Sequence, residues 1–316
     1  MKDIKNSVPV VLVTGASGFV GQHLARALLR HGWNVRRAVR VPSGAKDEIV
    51  IESIGAASDW REALRGVDAV VHLAARVHQQ HEEYAVELYR QVNIEGTLQL
   101  ARSAANAGVR HFIFVSTVLV HGRSNYGRPP FRESDLLTPR GLYGMSKAAA
   151  EAGLQALSET NALNVTVIRP PLVYGFGARG NFAVLEKAVR LGLPLPFGGI
   201  QNRRAFLFVE NLTSFIQYRL THANGKFDIF LVADQEQVST PEFIRRLAAA
   251  AGKSSRLFPI PAPLLNALLK ASGRREIVDS LLGSLELDLA KAAATGWRPQ
   301  VTLDEGLRRA LHEPQS

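Results

Sequence analysis

VPVVLVTGASGFVGQHLARALLRHG, running from Val8 to Gly32, decides how this chain folds. Val8 to Thr14 is a short apolar run rich in valine, the pattern of a strand covered on both faces. Gly15 to Gly21 interrupts it, and from Gln22 apolar residues recur at helical spacing. The glycines stand at 15, 18 and 21. Between a strand and a helix, Gly15 allows the tight turn, Gly18 lets backbone approach a pyrophosphate, and Gly21 lets the helix pack close to the strand. The phosphates would then meet the positive end of the helix. The stretch predicts a dinucleotide site; the bland alternative is a glycine-rich turn without a ligand.

The pattern continues outward. Asn34–Val39 (NVRRAV), Asp68–Ala75 (DAVVHLAA), His111–Thr117 (HFIFVST) and Asn164–Pro170 (NVTVIRP) read as strands. Helical patterns lie between them, including a long one from Glu82 to Ala107. Repeated strand–helix order predicts an α/β fold, a Rossmann-type doubly wound parallel sheet with its ligand site at the carboxyl ends of the strands. Arg36 and Arg37 sit oddly in a strand expected to be buried. After Pro170 the chain turns rich in Gly and Pro, Asn181–Leu191 looks helical, and Phe227–Asp234 (FDIFLVAD) returns to strand character. The predicted division is a nucleotide-binding domain over 1–175, with 206–235 rejoining it, and a smaller, mostly helical substrate lobe over 176–205 and 236–316.

Bulk properties narrow the classes. The 316 residues are 46% hydrophobic, enough for one large core or two lobes. No apolar run reaches the ~18 residues a membrane span needs. MKDIKNSVPV lacks the apolar centre of a signal peptide, so a cytoplasmic protein is expected. With no cysteine, disulfides and thiolate chemistry are excluded. The net charge of +10 is dispersed and aromatics are 7%, which argues against nucleic acid. Anionic diphosphate ligands and plain solubility account for it better. His72, His78, His81 and His121 have irregular spacing and no completing carboxylate, so no metal site is expected. PAPLLNALLKA reads as a packed helix in preference to a membrane-surface one.

Tyr143 and Lys147 lie four residues apart in GLYGMSKAAAEAGLQAL, a stretch of strong helix formers. One turn brings both side chains to one face. An ammonium there is expected to lower the phenol's pKa, making it a proton carrier for an alcohol or carbonyl oxygen. On spacing alone a surface pair is the commoner case; the glycine turn upstream tips the reading toward chemistry.

Together these motifs resemble the extended short-chain dehydrogenase/reductase family, and within it the branch acting on nucleotide-diphosphate sugars. TGASGFVG (14–21), VHLAA (71–75), NIEGT (93–97), VSTVLVHG (115–122), YGMSK (143–147) and RPPLVYG (169–175) fall in the family's order. The resemblance implies that Tyr143 is the acid/base and that Lys147 supports it and holds the nicotinamide ribose. Counted back from Gly122, Thr117 takes the catalytic hydroxyl position ahead of Ser116. Gly15, Ser17, Gly18, Phe19, Val20, Leu73, Ala74, Ala75, Asn93 and Pro170 would contact the cofactor. Asn181 and Phe182 would lie by a uridine diphosphate, with Arg204 on its phosphates and Arg203 as the neighbour easily confused with it. His121 stands where relatives often carry Tyr, within reach of a ligand role. Relatives dimerise through two helices that here would be Glu82–Ala107 and Tyr143–Thr160, which implies a homodimer.

The end of the second strand bears on the cofactor. The position that would hold an acidic residue for the ribose 2′-hydroxyl is Val39, followed by Arg40. No carboxylate is present to repel a 2′-phosphate, and Arg40 can grip one, so NADP is favoured, with NAD as the alternative. Val118 and Leu119 occupy the positions of the Asp-Glu pair of 4,6-dehydratases, which disfavours dehydration. The expected function is a 4-reductase of a UDP-linked 4-keto-6-deoxy (N-acetyl)hexose for surface polysaccharide, a subgroup echoed in GLPLPFG and GSLELD. The alternative is a UDP-glucose or UDP-GlcNAc type 4-epimerase. More distant are a non-catalytic NADP sensor of the same fold and a steroid-type dehydrogenase.

Overall fold

Val10–Thr14 forms the first strand, β1, and Phe19–Arg30 the helix α1 that the glycine turn introduces. In chain order there follow β2 (Asn34–Val39), β3 (Glu48–Val50), β4 (Ala69–His72), α2 (Ala85–Tyr89), α3 (Gly96–Asn106), β5 (His111–Val115), α4 (Gly141–Thr160) and β6 (Asn164–Arg169). Then come β7 (Leu172–Tyr174), α5 (Asn181–Arg190), β8 (Phe206–Phe208), α6 (Val209–Thr221), β9 (Phe227–Leu231) and α7 (Thr240–Ala250). Ala290–Ala294 and Leu303–Ala310 are α8 and α9. This computed structural model describes residues 8–77, 85–223, 225–261, 264–265 and 282–313. His78, His81, the first residues of the predicted Glu82–Ala107 helix and most of PAPLLNALLKA lie outside them.

The chain divides into two units. The first holds Met1–Val120, Pro139–Arg169 and Thr213–Phe230. Its sheet has seven strands in the order β3-β2-β1-β4-β5-β6-β9, the last of which runs on one residue past the unit's boundary. Pairing is parallel from β3 through β6. Strand order reverses between β1 and β4, the switch point at which doubly wound sheets bind ligands. One face of the sheet buries Leu12, Val70, Phe112, Phe114 and Val167 against Leu100 of α3 and Leu154 of α4. Each such side chain contributes roughly 1.5–3 kcal/mol through burial.

Arg36 and Arg37 have definite partners. Arg36 donates to the carbonyls of Ala63 (2.8 Å) and Arg65 (2.9 Å), satisfying a turn that ends on open acceptors. Arg37 forms a two-pronged pair with Asp47 at 2.5 and 2.6 Å. The pair holds Arg37 above and Asp47 below their ordinary pKa values.

Among the described residues the long helix expected over Glu82–Ala107 runs without a break from Ala85 to Asn106, α2 passing through a π-helical stretch, Arg90–Glu95, into α3. β4 stops at His72, so Leu73, Ala74 and Ala75 form the loop after it. Of the segment 206–235, β9 joins the sheet, whereas β8 pairs with β7.

The second unit holds His121–Thr138, Pro170–Leu212 and Leu231–Ser316. Its core gathers Tyr174, Phe182, Phe206, Phe208 and Phe243, with ring centroids 4.0–6.4 Å apart. Asp234 beneath them accepts from the Tyr174 hydroxyl (2.9 Å), the Phe208 amide (3.0 Å) and Asn211 (2.7 Å). Burial raises this carboxyl to about 6. Among the described residues no helix is long and apolar enough to cross a membrane.

Candidate active site

The glycine turn is shaped by close approach. Gly15 has φ +68°, and a Cβ there would lie 2.8 Å from the Ala74 nitrogen. A Cβ on Gly21 would fall 2.2 Å from the Gly15 carbonyl oxygen. Gly18 leads into α1, its amide donating to Gly15 at 3.0 Å, and both it and Ser17 are accessible. Phe19 and Val20 are half-buried in the first turn of α1, a turn with no acidic side chain. Accessible backbone ahead of a helix free of carboxylates suits a pyrophosphate.

His72 fixes this turn from behind. Its Nδ1 lies 2.7 Å from Thr14 Oγ1 and its Nε2 2.9 Å from Thr97 Oγ1. Thr14 Oγ1 also accepts from the Ala74 amide at 3.3 Å. Burial, aided by the charge of Lys147, lowers the imidazole to about 3, so it stays neutral. His72 is thus the hydrogen-bonded core residue that its apolar strand suggests. Arg40, directly after β2, is exposed and has no hydrogen bond or ion pair among the described residues. Arg37 is neutralised by Asp47, which leaves Arg40 as the open charge at that strand end. The Cβ-free cradle fits the pyrophosphate of a nicotinamide dinucleotide, and Arg40 leaves room for one with or without a 2′-phosphate.

On α4, Tyr143 and Lys147 share a face as expected, but the electrostatics run opposite to the sequence reading. Lys147 is fully buried; its Nζ donates to the Val115 carbonyl (2.8 Å), sits 4.2 Å from the Phe114 ring centre and lies 6.0 Å from that of Tyr143. Loss of solvent lowers the ammonium to about 7, with Glu151 opposing the shift. The Tyr143 phenol is pushed up by burial, with a smaller contribution from Tyr89. Spacing alone carries no information on desolvation, and here desolvation outweighs the charge.

Thr117 follows β5, is 8% exposed, and accepts the Leu119 amide at 3.2 Å. Ser116 is committed elsewhere, donating to the buried carboxylate of Glu151. Thr117 is therefore the available hydroxyl of the two. Asn93, in the π-helical stretch, accepts from the Arg76 amide (2.7 Å) and donates to Ser146 Oγ (2.9 Å). Ser146 in turn donates to the Tyr143 carbonyl (2.8 Å). Asn93 thus ties the loop after β4 to the first turn of α4.

The remaining residues lie in the second unit. Pro170 directly follows β6 and is buried. Asn181 starts α5 and is exposed. Phe182, expected beside a nucleotide, is instead 2% exposed within the aromatic cluster; its side chain belongs to the core. Arg204 is fixed by backbone pairing to Val238 and Leu285, and its Nη1 donates to the Gly283 carbonyl at 2.5 Å. Burial lowers Arg204 to about 10. Arg203 points outward to Glu286 (3.3 Å), which separates the two arginines. His121 stacks on Phe131 at 5.2 Å and is buried. No cluster of three or more metal-ligating side chains occurs among the described residues.

Sequence reasoning misses one group. Glu151, one turn beyond Lys147, is 3% exposed and held by Arg169 through contacts of 2.6, 3.1 and 3.2 Å. A carboxylate on the apolar face of an alanine-rich helix, facing the lone Arg of an apolar strand, is the available signal.

Comparison with known proteins shows the family to which the chain belongs. The chain is 39% identical over 306 residues to a UDP-glucose 4-epimerase of Vibrio cholerae, covering 95% of this chain and 93% of that one. It is 29% identical over 321 residues to the GDP-6-deoxy-D-mannose reductase of Pseudomonas aeruginosa, covering 97% of each. The crystal structure of the UDP-glucose 4-epimerase of Thermus thermophilus, in complex with NAD, is similar with a TM-score of 0.74 and 26% identity over 96% of this chain and 97% of that one. The family profile described as NAD dependent epimerase/dehydratase matches residues 11–233. With a match of that extent, the chain belongs to the NAD dependent epimerase/dehydratase family, among extended short-chain dehydrogenases/reductases whose members include nucleotide-sugar epimerases and reductases.

Proposed function

We propose that this protein interconverts the C4 epimers of a UDP-sugar. The observation that carries this reading is the likeness to the Vibrio cholerae UDP-glucose 4-epimerase along nearly the whole of both chains. It takes precedence over the 4-reductase expected from sequence. The two reactions use the same acid/base group and differ in whether the cofactor is regenerated.

In this reading Gly15, Ser17, Gly18 and the loop Leu73–Ala75 hold the dinucleotide, and Lys147 binds its ribose. Bound nicotinamide supplies a hydride acceptor and donor for C4 of the sugar. Ionised first by loss of its own proton to solvent, Tyr143 as phenolate takes the proton of the C4 hydroxyl and returns it once the keto sugar has presented its other face. Thr117 hydrogen-bonds the same oxygen while it carries charge. Lys147 supplies the positive field that offsets the cost of ionising a buried phenol. Asn181 and Arg204 hold the diphosphate, so the hexose turns about a fixed anchor. Val118 and Leu119 have no proton to exchange, which leaves dehydration without its acid and base. The exposed apolar face of α4, with Met145, Ala149, Ala152 and Ala156, suits a homodimer contact.

Arg40 favours a second reading, the 4-reductase, since NADPH is the usual donor for net reduction and this cation is unpartnered among the described residues. One experiment separates them. Purified protein incubated with UDP-glucose or UDP-N-acetylglucosamine should yield the C4 epimer with no net change in nicotinamide absorbance. No epimer, together with stoichiometric NADPH oxidation on a 4-keto-6-deoxy nucleotide sugar, would establish the reductase instead.

A further inference from the structure

Three side chains outside the proposed reacting set, Ser116, Glu151 and Arg169, form a hydrogen-bonded chain beside Lys147. Lys147 Nζ binds the Val115 carbonyl at the end of β5. The next residue, Ser116, donates its hydroxyl to Glu151, one turn further along α4. The Ser116 amide donates to the Ile168 carbonyl at 2.7 Å, and Arg169, next in β6, grips Glu151 with two nitrogens. Glu151 and Arg169 are 3% and 2% exposed, so both charges are removed from water. A buried ion pair is a poor device for stability alone, because desolvating it costs about as much as the attraction returns. Its location, one helical turn from a buried ammonium, suggests another use.

We propose that Glu151 and Arg169 are positioning residues that set the charge state of Lys147, the carboxylate retaining the proton on the buried amine and the guanidinium limiting how strongly it does so. The proposal rests on the reading of Lys147 as the partner of Tyr143. Among the described residues the groups facing Lys147 are Tyr143 and Glu151 from α4, His72 from β4, and Arg169 from β6 through Glu151, with Tyr89 of α2 acting on Tyr143. His72 is neutral above about pH 3, and Tyr143 holds its proton through the neutral range. That leaves the carboxylate and the guanidinium as the fixed charges acting on the amine. Lys147 titrates at about 7, where a modest change of field alters its charge.

The test reads Lys147 directly and needs no substrate. Full-length protein carrying [ε-13C]lysine is titrated by NMR, the Lys147 resonance being assigned by its loss in Lys147→Arg. Glu151→Gln should lower the Lys147 midpoint by about one pH unit or more, and Arg169→Gln should raise it. Glu151→Gln/Arg169→Gln, with no uncompensated buried charge, should return it toward the parent value. The decreasing alkaline limb of kcat against pH should move with the midpoint, down in the first variant and up in the second. Lowered melting temperatures with unmoved midpoints would reduce the pair to a structural brace and overturn the proposal. If one single variant does not fold, the opposite-signed shift of the other still decides. Shifted midpoints in a protein whose Tyr143→Phe variant stays fully active would instead sink the assignment of Tyr143 while leaving the Lys147 coupling intact.

Discussion

Thr14 Oγ1 and His72 Nδ1 lie 2.7 Å apart, joining the last residue of β1 to the last residue of β4. The strands they end are the two between which the sheet order reverses, so this one bond clamps the switch point. Through Thr14 the clamp reaches the Ala74 amide, and through Thr97 it reaches α3. The glycine turn therefore rests on a neutral, buried imidazole.

That imidazole makes stability pH-dependent. His72 titrates at about 3 in the folded chain against 6.5 in the open one. Its folded pKa is depressed, so its contribution is complete above pH 6.5 and is lost as the pH falls toward 3. His72→Gln removes this proton uptake. Urea unfolding at pH ~7 and pH ~4.5 should show a smaller loss of stability in the variant than in the parent; equal losses would refute a buried neutral histidine.

The approach of Gly21 to Gly15 leaves no space for a methyl group. Gly21→Ala places a Cβ 2.2 Å from a backbone oxygen that cannot move freely. It should destabilise the protein by about 2 kcal/mol or more and weaken dinucleotide binding at least about tenfold. Calorimetric melting and fluorescence titration with NADPH check both effects.

Tyr143 holds its proton strongly, and its ring lies 6.0 Å from the amine of Lys147. Tyr143→Phe should lower kcat by about a thousandfold. Cofactor affinity should stay within a small factor of the parent's, as the phenol oxygen alone is lost. A large loss of cofactor binding would show that the hydroxyl serves to hold the cofactor and not as the acid.

Arg40 stands open at the end of β2 while Arg37 is paired with Asp47. Arg40→Asp should cut the NADPH-to-NADH ratio of binding affinities, read by fluorescence titration, by about tenfold or more, by replacing attraction with repulsion at a 2′-phosphate. Arg37→Ala should leave that ratio unchanged and lower stability. An unchanged ratio in Arg40→Asp would assign this arginine to solvent.

How far the chain can be read without coordinates depends on the range of the interactions. β1, the glycine turn and α1 are legible because strand period, turn and helix period follow one another within a short stretch. The Tyr143–Lys147 face is legible for the same reason. The π-helical stretch at Asn93 is not, since one extra residue per turn hardly alters an apolar pattern. Arg36 looks misplaced because the carbonyls it serves lie 27 to 29 positions away. The ligand role of Phe182 comes from the resemblance alone, and its burial is not legible locally because its partners, Tyr174 and Phe243, come from other segments of the chain. The direction of the Tyr143 shift depends on how much water surrounds the ring, which no spacing records.

The order in which the sheet is completed matters for synthesis. β6 ends at Arg169, but its outer neighbour β9 does not begin until Phe227. While the intervening residues emerge from the ribosome, the newborn chain carries an open, apolar strand margin able to pair with another copy. A gene truncated just after the codon for Pro170 should thus yield inclusion bodies, and a chaperone that shields this margin during translation should raise the yield of the full-length protein.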